Sequence, residues 1–385
     1  MKTEMNFSKS LIGLCLGKSL SYYKAMEHLF KELTFSNGVK ARNKFLLAPL
    51  TNMQSPDQGK LSDDEFNWLT KRAKGGFGII MTCAMPVLKS GIGWKGQLGI
   101  YDPLHEDGHK RLNEELHRLE SLSIAQIFHA GVRANIDYAG DKVGPSANLE
   151  KSARELSFKE IKKMQAAFVD CAVRAYDCNY DGVEIHAAHG YLIGQFLSSK
   201  FNKRKDVYGG SFDNRAKLLI DIIDEIKAKT SSNFLIGVRI SPERFGLDTN
   251  EMISLYKILC KNNNIHFIDI SLWDSYKLVD DGPQKGESLL KLFTTIDRGE
   301  KLLTVAGKIF SYEDIEILQN NNVDFFCLGR AAILDHQFPN RLKAEGSNFQ
   351  PYSAPVTRDH LLREGLSETF VDYMSTWKNF VSDIA

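Results

Sequence analysis

Eight short apolar runs alternate with longer segments of mixed polarity, and this slow alternation constrains the chain more than any other feature. The runs are residues 44–50, 77–84, 123–130, 180–188, 233–241, 265–272, 302–307 and 323–329. Each is short, apolar and bounded by turn residues or polar segments, the pattern of a strand buried on both faces. Helical spacing fills the intervals. Ser62 precedes Asp63, Asp64 and Glu65, an N-cap followed by acidic residues where a helix dipole favours them. Residues 158–177 place Ile161, Met164, Ala167, Phe168, Cys171 and Val173 on one stripe. Residues 214–228, 250–259 and 312–318 behave similarly. Strand–helix alternation repeated eight times predicts parallel strands with outer helices. At 385 residues the economical closure is an α/β fold of the (β/α)8 TIM-barrel type. A doubly wound open sheet is the competitor, but its G-x-G-x-x-G turn is missing after the first run, which ends Ala48-Pro49-Leu50-Thr51.

The expected organisation is an accessory extension over residues 1–25, a barrel over 26–350 and a helical tail over 351–385. The tail carries Leu366, Phe370, Tyr373, Met374 and Trp377 at helical spacing, and is expected to pack on the barrel or on a neighbouring subunit of a homo-oligomer. Residues 11–16 are too few to span a bilayer, and no A-x-A cleavage site follows them. Met26 then reads as an alternative start. Lys and Arg number 49 against 48 Asp and Glu, so no electrostatic footprint for nucleic acid or an anionic membrane exists. Cys15, Cys83, Cys171, Cys178, Cys260 and Cys327 form no CxxC pair. Buried reduced thiols and a cytoplasmic location are the expectation.

In such a barrel the active site gathers at the carboxyl ends of the strands. Those ends carry Thr51; Cys83 and Ala84; Gln126 and His129; His186-Ala-Ala-His189-Gly-Tyr191; Arg239; Ala306-Gly307-Lys308; and Gly329-Arg330. This many polar or permissive termini on one rim argue for a large polar ligand. Gly307 and Gly329 let backbone approach an anion closely, and Arg330 offers paired donors to a phosphate. His186 and His189 also admit a metal, with Glu184 on the same strand face as His186, and spacing alone leaves that reading open.

The segment 181–215, DGVEIHAAHGYLIGQFLSSKFNKRKDVYGGSFDNR, resembles the signature stretch of the Old Yellow Enzyme family of FMN-dependent ene-reductases and NADH:flavin oxidoreductases. The resemblance runs from about residue 35 to 342 through APLTNM, QLGIYDP, AQIFHAG, GVRIS, VAGKI and FFCLGRAAILD, in order. It implies an FMN cofactor and no metal. Pro49, Leu50 and Thr51 would lie beside the flavin N5/O4 edge, Ala84 under the ring, and Gln126 at the pyrimidine edge. Arg239 would sit near N1/O2, with Ala306, Gly307, Gly329 and Arg330 at the phosphate. Taken singly, Thr51 would serve as a helix cap, Gln126 as a solvent-facing strand end and Arg239 as a partner of Glu243. Their joint order argues for the site.

The resemblance further implies that NADH or NADPH delivers hydride to the flavin and leaves before a small electron-poor acceptor replaces it, giving ping-pong kinetics. His186 and His189 would hold the acceptor's carbonyl and Tyr191 would protonate its α-carbon. No cysteine follows Cys327, which disfavours the relatives with an iron–sulfur extension. HAGVRA displaces Arg133 by one residue from the family's usual place, leaving its contact with the site in doubt. Competing expectations are a dihydrouridine-synthase-like FMN barrel and a flavin-binding protein without turnover.

Overall fold

The computed structural model describes residues 26–280 and 282–382. The extension assigned to residues 1–25, with Cys15, lies outside the described residues. Eight parallel strands form the barrel: β1 (Phe45–Leu47), β2 (Ile79–Met81), β3 (Leu122–Phe128), β4 (Gly182–Ala187), β5 (Leu235–Ile240), β6 (Phe267–Ser271), β7 (Leu302–Ala306) and β8 (Phe325–Leu328). Each pairs with the next, and β8 returns to β1 with Cys327 beside Leu46. That closure excludes the open doubly wound sheet. Seven of the eight expected runs contain their strand, and the third strand begins one residue before its run, at Leu122; most strands are shorter than their runs because the run ends turn outward into loops.

The outer ring includes α1 (Asp63–Lys74), α2 (Glu106–Arg118), α3 (Phe158–Asp177), α4 (Phe212–Lys229), α5 (Thr249–Lys261), α6 (Leu289–Thr294) and α7 (Tyr312–Asn320). The Ser62 hydroxyl accepts the Glu65 N–H at 3.0 Å, as an N-cap should. Ser157 and Glu160 close a reciprocal capping box on α3. The stretch 85–107 differs from a plain loop. Met85–Pro86 pairs beside β3, single 3₁₀ turns form at Lys89–Gly91 and Pro103–His105, and the chain then enters α2. A further excursion after β3 pairs Val143–Gly144 with Arg154–Glu155, pieces too short to leave a periodic signal.

Side chains alternate in and out along each strand, and the register stacks the inward ones in layers. Near the amino ends, Ile79, Ile124, Leu235, Phe267 and Phe325 belong to one apolar cluster with Phe35. Phe35 comes from a hairpin (Leu33–Thr34 paired with Lys40–Ala41) that plugs this end. The Phe35, Phe267 and Phe325 rings meet edge-on, with centroids 5.9–6.0 Å apart. Gly237 makes room for them, since a Cβ there would lie 2.0 Å from the Phe267 ring. One layer higher the interior becomes polar, with Gln126 beside Glu184 and Arg239 beside Asp269.

The tail forms α8 (Arg358–Arg363) and α9 (Glu368–Ser375). Phe370 packs edge-on against Trp68 of α1 at 4.9 Å, and the Ser367 N–H donates to Gln54 in the loop after β1. These contacts bring α9 over the carboxyl rim. Among the described residues no helix is long and apolar enough to cross a membrane. Cys83, Cys171, Cys178, Cys260 and Cys327 are buried free thiols.

Candidate active site

The rim opens into a cavity of about 880 Å³, in the upper part of the range for small-molecule sites, roughly 300–1,000 Å³. Its walls include Pro49 and Leu50 after β1, Arg239 on β5, Ala306, Gly307 and Lys308 after β7, and Gly329 and Arg330 after β8. Gly307 lies so close to the loop after β6 that a Cβ would come 3.0 Å from the backbone nitrogens of Asp274 and Ser275. The Ser275 hydroxyl ties that approach by donating to the Gly307 carbonyl at 2.6 Å. Lys308 is neutralised by Asp274 at 2.6 Å. Arg330 stacks on the Phe310 ring at 5.0 Å and has no carboxylate partner among the described residues.

Beneath this cavity sits a buried charged layer. Arg239 Nε lies 3.3 Å from Asp269 Oδ2, and both residues are buried. The partner is therefore Asp269; Glu243 is engaged by Lys277 instead. Gln126 donates its amide N–H to Glu184. Burial and the adjacent Asp269 push the Glu184 carboxyl well above the ordinary range, against the pull of Arg239. Burial raises Asp269 as well, again opposed by Arg239. Glu184 Oε1 and Asp269 Oδ1 have no hydrogen-bond partner among the described residues, and one proton shared between the carboxyls would satisfy both. Burial opposes the charge on Arg239, but Asp269 and Glu184 outweigh it and hold the guanidinium protonated. No hydrogen bond joins its side chain to the described residues, so its outer N–H groups are left for whatever fills the cavity. A flat polar ligand bearing a phosphate fits these walls. Arg239 can meet an electron-rich edge, while Gly307 and Arg330 can meet the phosphate.

The end of β4 supplies three rings in mutual contact. His186 lies 4.9 Å from His189 and 5.2 Å from Tyr191, each pair edge-on. The Ala188 N–H donates to His186 Nδ1 at 3.2 Å, which puts the proton of a neutral ring on Nε2. His189 sits at φ +56°, a backbone conformation non-glycine residues seldom adopt. Its N–H donates to the Ser241 hydroxyl, and its Nε2 pairs with Ser271 Oγ at 2.7 Å. Burial pushes His189 down to about 3, with Arg239 and Arg133 adding to the effect. His186 is lowered for the same reasons, burial first and then His189. Both rings are neutral at physiological pH. Burial raises the Tyr191 phenol, only partly opposed by Arg133.

Tyr191 and Thr51 line a second cavity of about 690 Å³, beside Met53, Trp94 and Arg133. Arg133 does reach the site. Its guanidinium stacks 4.8 Å from the Tyr191 ring and donates to the His189 carbonyl. The extra residue in HAGVRA is absorbed by a 3₁₀ turn at Gly131–Arg133, with Gly131 at φ +62°. Tyr373 of α9 lines both cavities, and Trp377 lines the larger.

Of the expected residues, Pro49, Leu50, His189, Arg239, Ala306, Gly307, Gly329 and Arg330 share the larger cavity, while Thr51 and Tyr191 share the smaller. Ala84, Gln126 and His186 are buried and wall neither. Reading strand ends alone missed Asp269, Ser271, Gln97 and Tyr373. Asp269 interrupts the otherwise apolar run Phe267-Ile-Asp-Ile, which is a readable signal. Gln97 clamps the loop after β2 by accepting the Gly93 N–H at 2.8 Å and donating to the Ala84 carbonyl. Among the described residues no group of three or more His, Cys, Asp or Glu side chains could hold a metal. His186 and His189 are engaged with backbone and serine instead.

A family model described as the NADH:flavin oxidoreductase / NADH oxidase family matches residues 28–348. The chain is 31% identical over 327 residues to a probable NADH-dependent flavin oxidoreductase, YqiG, of Bacillus subtilis (strain 168), covering 82% of this chain and 87% of that protein. It is 33% identical over 323 residues to an NADPH dehydrogenase of Listeria welshimeri, covering 81% and 93% respectively. Among solved structures, the old yellow enzyme homologue from Zymomonas mobilis superposes with a TM-score of 0.74 at 24% identity, over 90% of this chain and 99% of that one. That last likeness concerns the fold.

Proposed function

This chain belongs to the NADH:flavin oxidoreductase / NADH oxidase family, and on that premise we propose that it reduces a carbon–carbon double bond conjugated to a carbonyl, with NADH or NADPH as reductant. It is an oxidoreductase of Old Yellow Enzyme type with FMN as its cofactor. Bound FMN supplies the relay that accepts reducing equivalents from the nicotinamide and passes them to the acceptor.

The unsatisfied donors of Arg239 above the Glu184–Asp269 pair fit the electron-rich pyrimidine side of a flavin. Gly307, Gly329 and Arg330 fit its phosphate, and Pro49, Leu50 and Ala306 its flat apolar surface. Thr51 supplies a hydroxyl at the end of β1. Ala84 and Gln126 support the floor from beneath.

The observation that carries the proposal is the His186–His189–Tyr191 cluster, in which His189 lines the larger cavity, Tyr191 the smaller, and the buried His186 ring contacts both of those rings. His186 donates from Nε2, because Nδ1 already accepts from Ala188. For His189 to donate from Nδ1, the Ser271 hydroxyl must donate to Nε2, so Ser271 sets the tautomer. Two neutral imidazole donors sharing one acceptor oxygen would stabilise the negative charge that grows there as the alkene is reduced. The Tyr191 phenol keeps its proton at neutral pH and delivers it to the α-carbon. The smaller cavity gives that phenol a route to solvent for reprotonation. One site serving donor and acceptor in turn predicts ping-pong kinetics. Initial rates with NADPH and 2-cyclohexenone should give parallel double-reciprocal lines; intersecting lines would contradict the proposal.

A further inference from the structure

The larger cavity extends beyond the flavin-fitting walls to a second set of residues that the proposed chemistry does not use. Trp273, just after β6, is 55% exposed, an unusual place for an indole with no hydrogen bond or core contact among the described residues. Its ring is faced by the Arg244 guanidinium at 4.9 Å, from the loop after β5. Both residues line the cavity that holds His189 and Arg239. Both also sit at positive φ, +64° for Trp273 and +69° for Arg244, with Phe245 at +51°. A bulky residue seldom adopts this conformation, and strained positions of this kind gather at active sites and ligand clamps.

Charge separates this pair from its surroundings. Lys277 is paired with Glu243 and Asp280, and Lys308 with Asp274. Arg244 has no ion pair and no side-chain hydrogen bond among the described residues. Apart from Arg330, already assigned to the phosphate, the cavity therefore presents Arg244 as an uncompensated cation beside an exposed aromatic face.

We infer that Trp273 and Arg244 form the subsite for the adenosine diphosphate half of the nicotinamide donor, the adenine stacking on the indole and the pyrophosphate meeting the guanidinium. The inference rests on the nicotinamide-donor reading given above. A dinucleotide matches both features, because every base offers a π-face and a pyrophosphate offers the bidentate acceptor that arginine prefers. Reduced nicotinamide mononucleotide offers neither the adenine nor the pyrophosphate, and this separates the subsite from the chemistry.

The test compares wild type, Trp273→Ala, Trp273→Phe and Arg244→Ala as FMN-loaded proteins. Anaerobic rapid mixing measures the Kd of NADH, NADPH and reduced nicotinamide mononucleotide, and calorimetry measures ADP-ribose binding. Loss of the stacking face should raise the dinucleotide Kd about 5- to 100-fold. Arg244→Ala should raise it about tenfold or more and reduce its salt dependence. Trp273→Phe should recover most of the affinity. The mononucleotide Kd should stay constant across the series, and ADP-ribose affinity should fall in step with dinucleotide affinity. Equal dinucleotide affinity in wild type and Trp273→Ala would overturn the inference, as would a variant that alters only oligomeric state. If no nicotinamide donor bleaches the wild type, the functional reading fails instead, and the ADP-ribose isotherms then judge this subsite separately.

Discussion

The two ends of the barrel interior use alternating positions of the same strands and are built for opposite purposes. At the amino end Leu235 and Phe267 point inward, next to Ile124 and Phe325, and three aromatic rings fill the plug. Four residues further along β5 and two along β6 the same face carries Arg239 and Asp269, with Glu184 and Gln126 on β4 and β3. Within the barrel interior, Glu184 Oε1, Asp269 Oδ1 and Thr304 Oγ1, buried oxygens without a hydrogen-bond partner among the described residues, lie in this upper region; Asn113 Oδ1 and the Tyr208 and Tyr256 hydroxyls, likewise unpartnered, belong to the outer layer. Polar groups left without partners cost stability, so their concentration under the cavity marks where the barrel gives up packing for binding. The floor holds the fold and the rim spends part of that stability on a site.

Four substitutions test this division, beginning with the largest expected effect. Tyr191→Phe removes the proton donor while keeping the ring on Phe128 and under Arg133. Acceptor reduction should fall about 10²- to 10⁴-fold, while bleaching by NADPH and the unfolding midpoint stay as in wild type; stopped-flow absorbance and thermal melts check both. A parallel loss of stability would erase the distinction between rim and floor. Phe267→Ala, at the opposite end, should cost about 3–5 kcal/mol in urea unfolding. The folded fraction should still bind FMN with unchanged Kd.

Arg330→Ala sharpens the comparison within the rim itself. Loss of a charge-assisted contact should weaken FMN about 10- to 100-fold, with riboflavin, which lacks the phosphate, bound as before. Equal weakening of both ligands would move Arg330 away from the phosphate.

The smallest effect concerns pH. Glu184 has a raised carboxyl pKa in the fold, mainly from burial, against an ordinary value of 4.5. The folded state therefore holds a proton that the unfolded chain releases above that value. Its contribution to stability is whole below 4.5 and declines as pH rises toward the folded value. Glu184→Gln should flatten that decline in denaturation midpoints measured across pH. The acid limb should remain. Burial depresses His189 and His129 to about 3 and His109 and His266 to about 4, from 6.5. The unfolded chain takes up these protons first, so stability falls as pH drops below 6.5 whatever stands at 184.

The eight strands and their order were legible because parallel strands buried on both faces leave predominantly apolar runs. The rim was legible at its glycines and at the β4 motif, where residue type and position agree. The charged layer was less so. Glu184 was visible as sharing a face with His186, but its partnership with Asp269 needs the register of β4 and β6 across the intervening β5, where Gly237 lies opposite both Glu184 and Phe267. The second cavity was hidden for a different reason. Arg133 enters through a 3₁₀ turn and Tyr373 through a tail docked by Phe370 on Trp68, and neither relation has a local pattern. Sequence periodicity reports which face is buried and is silent about which distant loop meets it.

The central claim is that the Arg239 cavity holds FMN beside a β4 cluster that reduces an activated alkene. The visible spectrum of the protein, followed through one anaerobic cycle, tests it most directly. The account predicts a yellow protein with stoichiometric FMN that bleaches on addition of NADPH or NADH and regains its colour when 2-cyclohexenone is added. A protein that takes up no FMN, or one whose colour fails to return with any enone, would contradict it.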